Sequence, residues 1–342
     1  MNFEYRKRVL TYSGELFSAI LNDEYQHRFD GFEKVFFANN WFTPENVKYA
    51  LQHWSTLLTG ENTESWLAEY PGIDNVSGGK NIALVFAGNI PLVGFHDLLC
   101  CIACGMNIEI KMSSKDKLLP KWYIDQIIGE FPFLRSKITF TDNYFQDFDA
   151  VIATGSNNTG RYFDYYFGKY PHIIRRNRNS TAILTGNEDE EDLAKLADDI
   201  FLFFGLGCRS VSHIFVPEGY CFDRLLKVCA ESYPVVSYHH KYFNNYEYQK
   251  AILQFNRVSY FDSGNLLLTE NDKTASPVSM LHYTYYKNLQ EVQDALSSRS
   301  LILQCIVGKN TGLENTPLGQ TQQPKLNEYA DGIDTLNFLL NL

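Results

Sequence analysis

A short, almost uninterrupted apolar run constrains the fold of this chain more than any other feature. Residues 81–87 read Asn-Ile-Ala-Leu-Val-Phe-Ala, which has the length of a strand and lacks polar alternation. Such a run is typical of a strand buried on both faces of a parallel sheet. Similar runs follow at 106–111, 138–140, 150–153 and 181–184, with helical segments between most of them. Strands that alternate with helices predict a doubly wound α/β domain.

Helical segments surround this first set of strands. Residues 1–70 have helical character, and so do the segments 117–131 and 158–167. Pro91 is well placed for the first turn of a helix, because proline lacks the N–H that a helix start leaves unpaired. We expect that helix to continue to about Cys104.

A second set of strands and helices begins near Glu188. It contains a helical run that ends at Phe204, a strand at 211–216, a helix at 222–230 and a strand at 301–307. This order predicts a second αβ domain, because the same alternation of element types is repeated.

The length of 342 residues is sufficient for two domains. We expect residues 1–184 to combine the helical N-terminal region with a Rossmann-like cofactor-binding domain. Residues 185–312 would form the catalytic domain. Residues 313–342 end in a short apolar segment, which should return to the first domain or dock on a partner subunit.

Charge and cysteine content narrow the class of protein. A net charge of −10 argues against a nucleic-acid partner. Seven cysteines and a polar start without a secretory signal favour a reduced cytoplasmic compartment. No run of about 18 uncharged apolar residues occurs, so no transmembrane helix is expected.

The most informative motif is the run Gly205-Leu206-Gly207-Cys208, at a helix-to-strand junction. Two glycines let the backbone approach a ligand closely and leave the thiol beside open space. A cysteine in this setting is a candidate covalent nucleophile. The alternative is a small buried hydrophobe, which is what most cytosolic cysteines are.

Four segments, taken in order, resemble motifs of the aldehyde dehydrogenase superfamily. They correspond to its Asn-Phe-Pro turn, its Lys-Pro-Ser-Glu segment, its Thr-Gly-Ser turn and its Gly-Gln-x-Cys loop. Within that superfamily the chain looks most like the acyl-CoA reductases of the bacterial luminescence type. The four segments, within a correspondence that covers residues 81 to about 310, are Asn89-Ile90-Pro91-Leu92, Ile110-Lys111-Met112-Ser113-Ser114, Thr154-Gly155-Ser156 and Gly205-Leu206-Gly207-Cys208.

This resemblance implies catalytic roles for two residues. The Cys208 thiolate would attack a thioester carbonyl, and the Asn89 amide would donate to the resulting oxyanion, together with the Cys208 backbone N–H. The alternative for Asn89 is a turn residue that helps satisfy the start of the following helix.

It also implies a cofactor site. Lys111 would reach the adenine-side ribose of NADPH, and Ser114, followed by Lys115, would accept a 2′-phosphate that a glutamate there would repel. Gly155 and Ser156 would approach the pyrophosphate near a helix start, where free N–H groups favour anions. The alternatives are a solvated lysine and an ordinary strand-to-helix turn.

Two departures from the superfamily bear on the reaction. The stretch Arg175-Arg176-Asn177-Arg178-Asn179 replaces Glu-Leu-Gly-Gly-Lys and has no carboxylate to activate water, which favours hydride delivery over hydrolysis. Its three arginines would either meet phosphates of coenzyme A or NADP or lie on a solvated loop. Lys273 and Ser276-Pro277 occupy the segment that resembles Glu-x-Phe-Gly-Pro, which puts that ribose contact in doubt.

The resemblance implies NADPH-dependent reduction of an acyl-CoA, in particular a fatty acyl thioester, to the aldehyde. The alternatives are an acylating aldehyde dehydrogenase that works oxidatively and a degenerate relative that binds nucleotide without turnover. A homo-oligomer is expected, and an acyl-transferring partner protein is compatible with this chemistry. His96, Cys100 and Cys104 share a helix face, but no metal site is expected there. His213 is expected to be a packed residue.

Overall fold

The computed structural model describes residues 2–22, 31–76, 78–155 and 157–342. The chain divides into two units. Unit 1 comprises Met1–Asn177 and Lys325–Leu342, and unit 2 comprises Arg178–Pro324. All residues of unit 2 are described. None of the helices in the described residues is both long and apolar enough to cross a membrane.

Unit 1 contains a parallel sheet of five strands within its described residues. Four of them, β1 to β4, form from the apolar runs that predict them. The fifth, β5, lies in a stretch with no predicted element. The order across the sheet is β3-β2-β1-β4-β5, and every neighbouring pair is parallel. The strands are β1 (Asn81–Val85), β2 (Asn107–Lys111), β3 (Ile138–Phe140), β4 (Ala150–Thr154) and β5 (His172–Arg175).

Helices of unit 1 precede the sheet, connect its strands and return to it at the end of the chain. Val9, Leu10 and Phe17 of the first helix have no exposed surface, so this helix is part of the core. The helices are α1 (Phe3–Leu21), α2 (Phe32–Ala38), α3 (Pro44–Leu57), α4 (Gly60–Ala68), α5 (Phe95–Ala103), α6 (Leu118–Glu130), α7 (Asn157–Phe167) and α12 (Thr335–Leu340).

The predicted start of the α5 helix at Pro91 is wrong. The helix begins at Phe95, with Gly94 as its N-cap. Leu92 has a φ of +58°, and a left-handed residue cannot belong to a right-handed helix. Residues 91–94 are therefore a turn, and this turn has a consequence for the candidate site.

A buried ion pair joins α5, β5 and the returning C-terminal segment. Arg175 donates to both carboxylate oxygens of Asp97, at 2.6 and 3.2 Å, and the two residues are 4% and 5% exposed. Arg175 also donates to Thr335 Oγ1 at 2.8 Å and to the Ala330 carbonyl. Burial by itself would raise the pKa of the Asp97 carboxyl. The neighbouring Arg175 guanidinium outweighs this effect and lowers that pKa. Arg175 is therefore a structural residue, not part of a solvated loop or a phosphate site.

Unit 2 contains a sheet of seven strands in the order β12-β11-β6-β7-β10-β9-β8. All neighbouring pairs are parallel except β8 with β9. The strand β6, predicted within the first domain, belongs to this unit. Residues 313–324, predicted to return to the first domain or to a partner subunit, belong to it as well. The strands are β6 (Asn179–Ile183), β7 (Val211–Pro217), β8 (Phe261–Asp262), β9 (Leu267–Glu270), β10 (Met280–Tyr286), β11 (Leu303–Gly308) and β12 (Thr316–Pro317), and the helices are α8 (Glu190–Phe201), α9 (Asp223–Ser232), α10 (His240–Phe255) and α11 (Leu289–Ser298).

Candidate functional site

The Cys208 loop in unit 2 begins with a strained backbone. After α8, Phe203, Phe204 and Gly205 have φ values of +54°, +57° and +71°. Two consecutive left-handed phenylalanines are unfavourable and persist only where the surroundings hold them in place. Both phenylalanines are buried, at 6% and 8% exposure, so packing of their rings stabilises the turn.

One of these rings anchors the loop to α10. The Phe204 ring lies 4.4 Å from the His239 ring and 6.0 Å from that of Tyr242. His239 is the N-cap of α10, and the Tyr242 hydroxyl donates to the Asn265 carbonyl at 2.8 Å. The turn before Cys208 therefore rests on a helix end that is itself well fixed.

Ser180, at the start of β6, holds the backbone of Cys208. Its hydroxyl donates to the Cys208 carbonyl at 3.0 Å and accepts from the backbone N–H of Cys305 at 3.0 Å. Ser180 has no exposed surface. A single buried hydroxyl thus ties the Cys208 loop to two strands of the sheet, β6 and β11.

Residues 317–322 support the loop from the other side. The Gln322 amide donates to Ser210 Oγ at 3.1 Å, and Arg209 Nη1 donates to the Thr321 carbonyl at 3.4 Å. The Asp199 carboxylate accepts from the backbone N–H groups of Gly319 and Thr321 at 2.7 and 3.0 Å. Burial raises the pKa of Asp199 to about 6, against the effect of these hydrogen bonds.

Accessibility separates Cys208 from most other cysteines. All seven cysteines lie in the described residues; Cys208 is half-buried and Cys221 is exposed, whereas the others are buried. Burial raises the pKa of several of the buried thiols, which keeps them protonated and unreactive. Cys208 is the accessible thiol that lies in a strained and well-supported loop. The buried cysteines are Cys100, Cys101, Cys104, Cys229 and Cys305, and the raised pKa applies to the first four.

His213, five residues after Cys208, is a packed residue, as predicted. It has no exposed surface, and its two ring nitrogens hydrogen-bond with Thr181 Oγ1 and Thr284 Oγ1, both at 2.9 Å. Burial lowers its pKa to about 3, and the charge of Arg299 adds to this effect. The imidazole is therefore neutral, and both of its nitrogens are occupied by hydrogen bonds with threonines.

In unit 1, the predicted site residues gather at the carboxyl edge of the sheet. Asn89 follows β1, Lys111 is the last residue of β2, Ser114 follows β2, and Gly155 follows β4. The strand order places β2 and β4 on opposite sides of β1. This is a topological switch point, where open α/β sheets bind ligands beyond the carboxyl ends of their strands. Ser156 lies outside the described residues.

Asn89 is exposed and is not the cap of α5. That position belongs to Gly94, and α5 has no side-chain cap hydrogen bond. Asn89 therefore lies before the turn that leads into α5 and not at the N-cap of this helix. Asn89 belongs to unit 1 and Cys208 to unit 2.

The lysines near the end of β2 differ in whether their ammonium groups have hydrogen-bond or ion-pair partners. Lys111 Nζ donates to the Asn143 carbonyl at 3.1 Å, and Lys117 pairs with Asp142 at 2.9 Å. Lys115 is exposed, as is Ser114, and its ammonium makes no hydrogen bond or ion pair with another described residue. Lys115 is thus the cation of this group that an anion can approach without displacing a partner.

Gly155 uses its N–H within the sheet. This N–H donates to the Arg175 carbonyl at 3.2 Å, which continues the pairing of β4 with β5. A role for Gly155 toward a pyrophosphate would therefore rest on close backbone approach, not on this donor. The helix α7 begins two residues later.

The possible metal ligands on α5 have other surroundings. The His96 ring stacks on Tyr329 at 5.2 Å, and its Nε2 hydrogen-bonds with the Leu326 carbonyl at 2.9 Å. Cys100 and Cys104 are buried. No group of three or more His, Cys, Asp or Glu in the described residues is arranged to hold a metal ion.

Comparison with known proteins shows the fold. In sequence, no family model matches the chain, and no curated protein matches it significantly. In structure, the chain is similar to aldehyde dehydrogenase 21 from Physcomitrella patens, solved with the reaction product succinate. The TM-score is 0.68 at 12% identity, over 100% of this chain and 84% of that one.

Two further solved structures support the same conclusion. Aldehyde dehydrogenase C from Pseudomonas syringae, solved with NAD+ and octanal, has a TM-score of 0.65 at 12% identity, over 92% of this chain and 74% of that one. An NAD-dependent aldehyde dehydrogenase from Sinorhizobium meliloti has a TM-score of 0.62 at 12% identity, over 95% and 73%. The chain has the aldehyde dehydrogenase fold, which confirms the predicted α/β class with two Rossmann-like parts.

Proposed function

We propose that this chain is an NADPH-dependent acyl-CoA reductase that forms an acyl-cysteine at Cys208 and releases an aldehyde. The observation that carries the proposal is the Cys208 loop, in which a half-buried thiol follows two left-handed phenylalanines and is held by Ser180. Strain that the surroundings maintain is typical of functional sites. The aldehyde dehydrogenase fold makes a nicotinamide-dependent oxidoreductase the broader form of this proposal.

The reaction begins at the thiol. The Cys208 thiolate attacks the thioester carbonyl, and its sulfur forms the new C–S bond as the carbonyl oxygen becomes an oxyanion. From the motif resemblance, we infer that the Asn89 amide and the Cys208 N–H donate to that oxygen. Collapse breaks the bond to coenzyme A, which leaves as its thiolate and takes up a proton. The acyl group then remains on Cys208.

The second half returns the thiol. When bound, a reduced nicotinamide would supply the hydride that reduces the acyl carbon and would leave as the oxidised cofactor. In the resulting thiohemiacetal anion, the C–S bond to Cys208 breaks. The oxygen becomes the aldehyde carbonyl, and the sulfur leaves as the Cys208 thiolate. Cys208 thus serves as nucleophile and leaving group in one cycle.

The choice of reduction over hydrolysis rests on an absent base. Residues 175–179 contain no carboxylate, and the carboxylates of Asp97 and Asp164 beside this segment are paired with Arg175 and Arg176. Water near the acyl-cysteine therefore has no evident activator in this segment.

The choice of NADPH rests on the turn after β2. Ser114 and Lys115 are both exposed at the carboxyl edge of the sheet, and the Lys115 ammonium is available for an anion. A small hydroxyl beside a cation suits a ribose 2′-phosphate. The residues present thus fit this cofactor.

A nucleotide-binding relative without turnover is the second candidate. It is favoured by the bond from Lys111 to the Asn143 carbonyl, which occupies a donor assigned to the ribose, and by Lys273 in the segment that resembles Glu-x-Phe-Gly-Pro.

Intact-protein mass spectrometry after incubation with acyl-CoAs of graded chain length separates these candidates. We expect an acyl adduct that Cys208→Ala abolishes and that Cys221→Ala, a variant of the exposed thiol, retains. Steady-state NADPH oxidation by Cys208→Ala should fall by several orders of magnitude with NADPH affinity unchanged. An adduct on Cys221, or none while NADPH still binds, would contradict the proposal. NADP+ reduction with aldehyde and coenzyme A measures the oxidative direction.

A further inference from the structure

One buried carboxylate joins two loops at the carboxyl edge of the unit 1 sheet. The first loop, 86–94, follows β1 and carries Asn89. The second, 112–117, follows β2 and carries Ser114. Asp116, in the second loop, is 4% exposed, and its Oδ2 accepts from the backbone N–H of Leu92, in the first loop, at 3.2 Å.

Asp116 is itself held in a defined turn. Its backbone N–H donates to the Ser113 carbonyl at 3.1 Å, and the Lys115 N–H donates to Ser113 Oγ at 3.2 Å. The Asn39 amide donates to the Lys115 carbonyl at 3.2 Å and ties this turn to the segment after α2. The carboxylate is therefore presented from a rigid position.

The two loops also touch where a side chain would not fit. A Cβ on Gly88 would lie 2.6 Å from Ser113 Oγ and 2.9 Å from Ser113 Cβ. Real Cβ atoms essentially never come so close to another atom, so a side chain at position 88 would force the Ser113 turn to shift. A displacement of the Ser113–Lys115 turn would therefore change the contact with Gly88, the residue next to Asn89.

The hydrogen bond from Leu92 matters because of the conformation of that residue. Leu92 has a φ of +58°, and its side chain is 4% exposed. A left-handed leucine is strained and needs its surroundings to hold it. Loss of the acceptor would leave a buried N–H unpaired, which is unfavourable. Asp116 thus stabilises the turn three residues after Asn89.

We propose that Asp116 is a positioning residue that couples the Ser114 turn to the Asn89 turn, so that a nucleotide bound at the first stabilises the second. The inference rests on the proposed function of both loops. Burial raises the pKa of Asp116 to about 7, and the Leu92 bond opposes this shift. Either protonation state leaves an oxygen that can accept from Leu92.

Hydrogen–deuterium exchange of residues 86–94, with and without NADPH, tests the coupling without any need for turnover. In the wild type, NADPH should slow exchange in this segment. Asp116→Asn keeps an acceptor oxygen and should retain this protection, whereas Asp116→Leu should lose it. Trp66→Phe, which removes a hydrogen bond to Tyr329 elsewhere in unit 1, controls for lowered stability.

Kinetics give the second readout. In Asp116→Leu, single-turnover acylation of Cys208 should slow about 10- to 100-fold and NADPH should bind about fivefold more weakly, while Asp116→Asn stays within about threefold of wild type. Equal NADPH protection of 86–94 in Asp116→Leu and wild type would overturn the coupling. If the wild type shows that protection but forms no acyl adduct, the proposed reaction fails and the coupling stands.

Discussion

The two units place their candidate residues at opposite edges of similar sheets. In unit 1, Lys111 ends β2, Asn89 and Ser114 follow strands, and all three lie at the carboxyl edge. In unit 2, Cys208 precedes β7 and lies at the amino edge. The carboxyl edge of a parallel sheet offers loops that lead into helix N-termini and suit anions. The amino edge has no helix N-termini of this kind. There the strained conformation of the Cys208 loop is held by buried rings and by the hydrogen bond from Ser180.

The units also bury polar groups differently. Unit 1 buries a charged pair, Asp97 with Arg175, at the junction with the returning C-terminal segment. Unit 2 buries a neutral imidazole, His213, between two threonines. A charged pair is sensitive to loss of one partner, whereas a neutral imidazole is sensitive to pH.

Asp97→Ala should lower the free energy of unfolding of unit 1 by about 3–5 kcal/mol, because it leaves the Arg175 guanidinium buried without its partner. Urea unfolding monitored by tryptophan fluorescence measures this loss. Asp164→Ala is the matched control. It removes the partner of Arg176, in a pair whose side chains are 45% and 52% exposed, and should cost at most about 1 kcal/mol. Equal losses would show that burial does not distinguish the two pairs.

This ion pair illustrates what the sequence can and cannot predict. The strands β1 to β4 have local apolar patterns, so their existence and their parallel arrangement follow from the chain alone. The strand β5 does not, because it ends in Arg175, whose burial depends on Asp97, 78 residues earlier. In the sequence, a charged residue whose partner is distant along the chain cannot be distinguished from one that is exposed to solvent.

The candidate site shows the same limit. The Gly205-Leu206-Gly207-Cys208 motif is visible in the sequence because glycines mark an unusual backbone. No sequence pattern marks Ser180, Gln322 or Asp199, since each acts through partners distant in sequence and none lies in a distinctive motif. Nor does a pattern mark the turn at Leu92, because leucine gives no signal of a left-handed conformation.

Asn89→Ala should slow acylation of Cys208 about 10²- to 10³-fold, which corresponds to the loss of one oxyanion donor. Single-turnover adduct formation measures this rate. Acyl-CoA binding and the unfolding free energy should change little, because Asn89 is exposed and does not cap α5. A variant that loses stability but keeps its acylation rate would assign Asn89 to the turn alone.

His213→Asn should remove an acid sensitivity of unit 2. The pKa of His213 lies near 3 in the folded protein, below its unfolded value of 6.5. The unfolded chain therefore binds the proton first, and stability is lost as pH falls from about 6.5 toward 3. Between pH 7 and pH 5 this contribution amounts to about 2 kcal/mol. Chemical unfolding at both pH values should show a correspondingly smaller decline in the variant, whereas the exposed His172→Asn should match wild type.

The smallest effect concerns cofactor choice at the carboxyl edge of unit 1. Lys115→Ala should lower the ratio of kcat/KM for NADPH over NADH about tenfold, equivalent to about 1.4 kcal/mol, because it removes the available cation beside Ser114. Lys117→Ala is the matched control: this lysine already pairs with Asp142, so the ratio should stay within about twofold.

Ser114→Glu tests the same contact by repulsion. It should penalise NADPH and spare NADH, because a carboxylate would face the 2′-phosphate. A wild type that prefers NADH, or equal effects of the two lysine substitutions, would show that the turn after β2 does not face the adenosine ribose. The Cys208 loop at the amino edge of the unit 2 sheet would remain strained and well supported. The carboxyl edge of unit 1, in contrast, would lose the observation on which its proposed binding of a phosphorylated nucleotide rests.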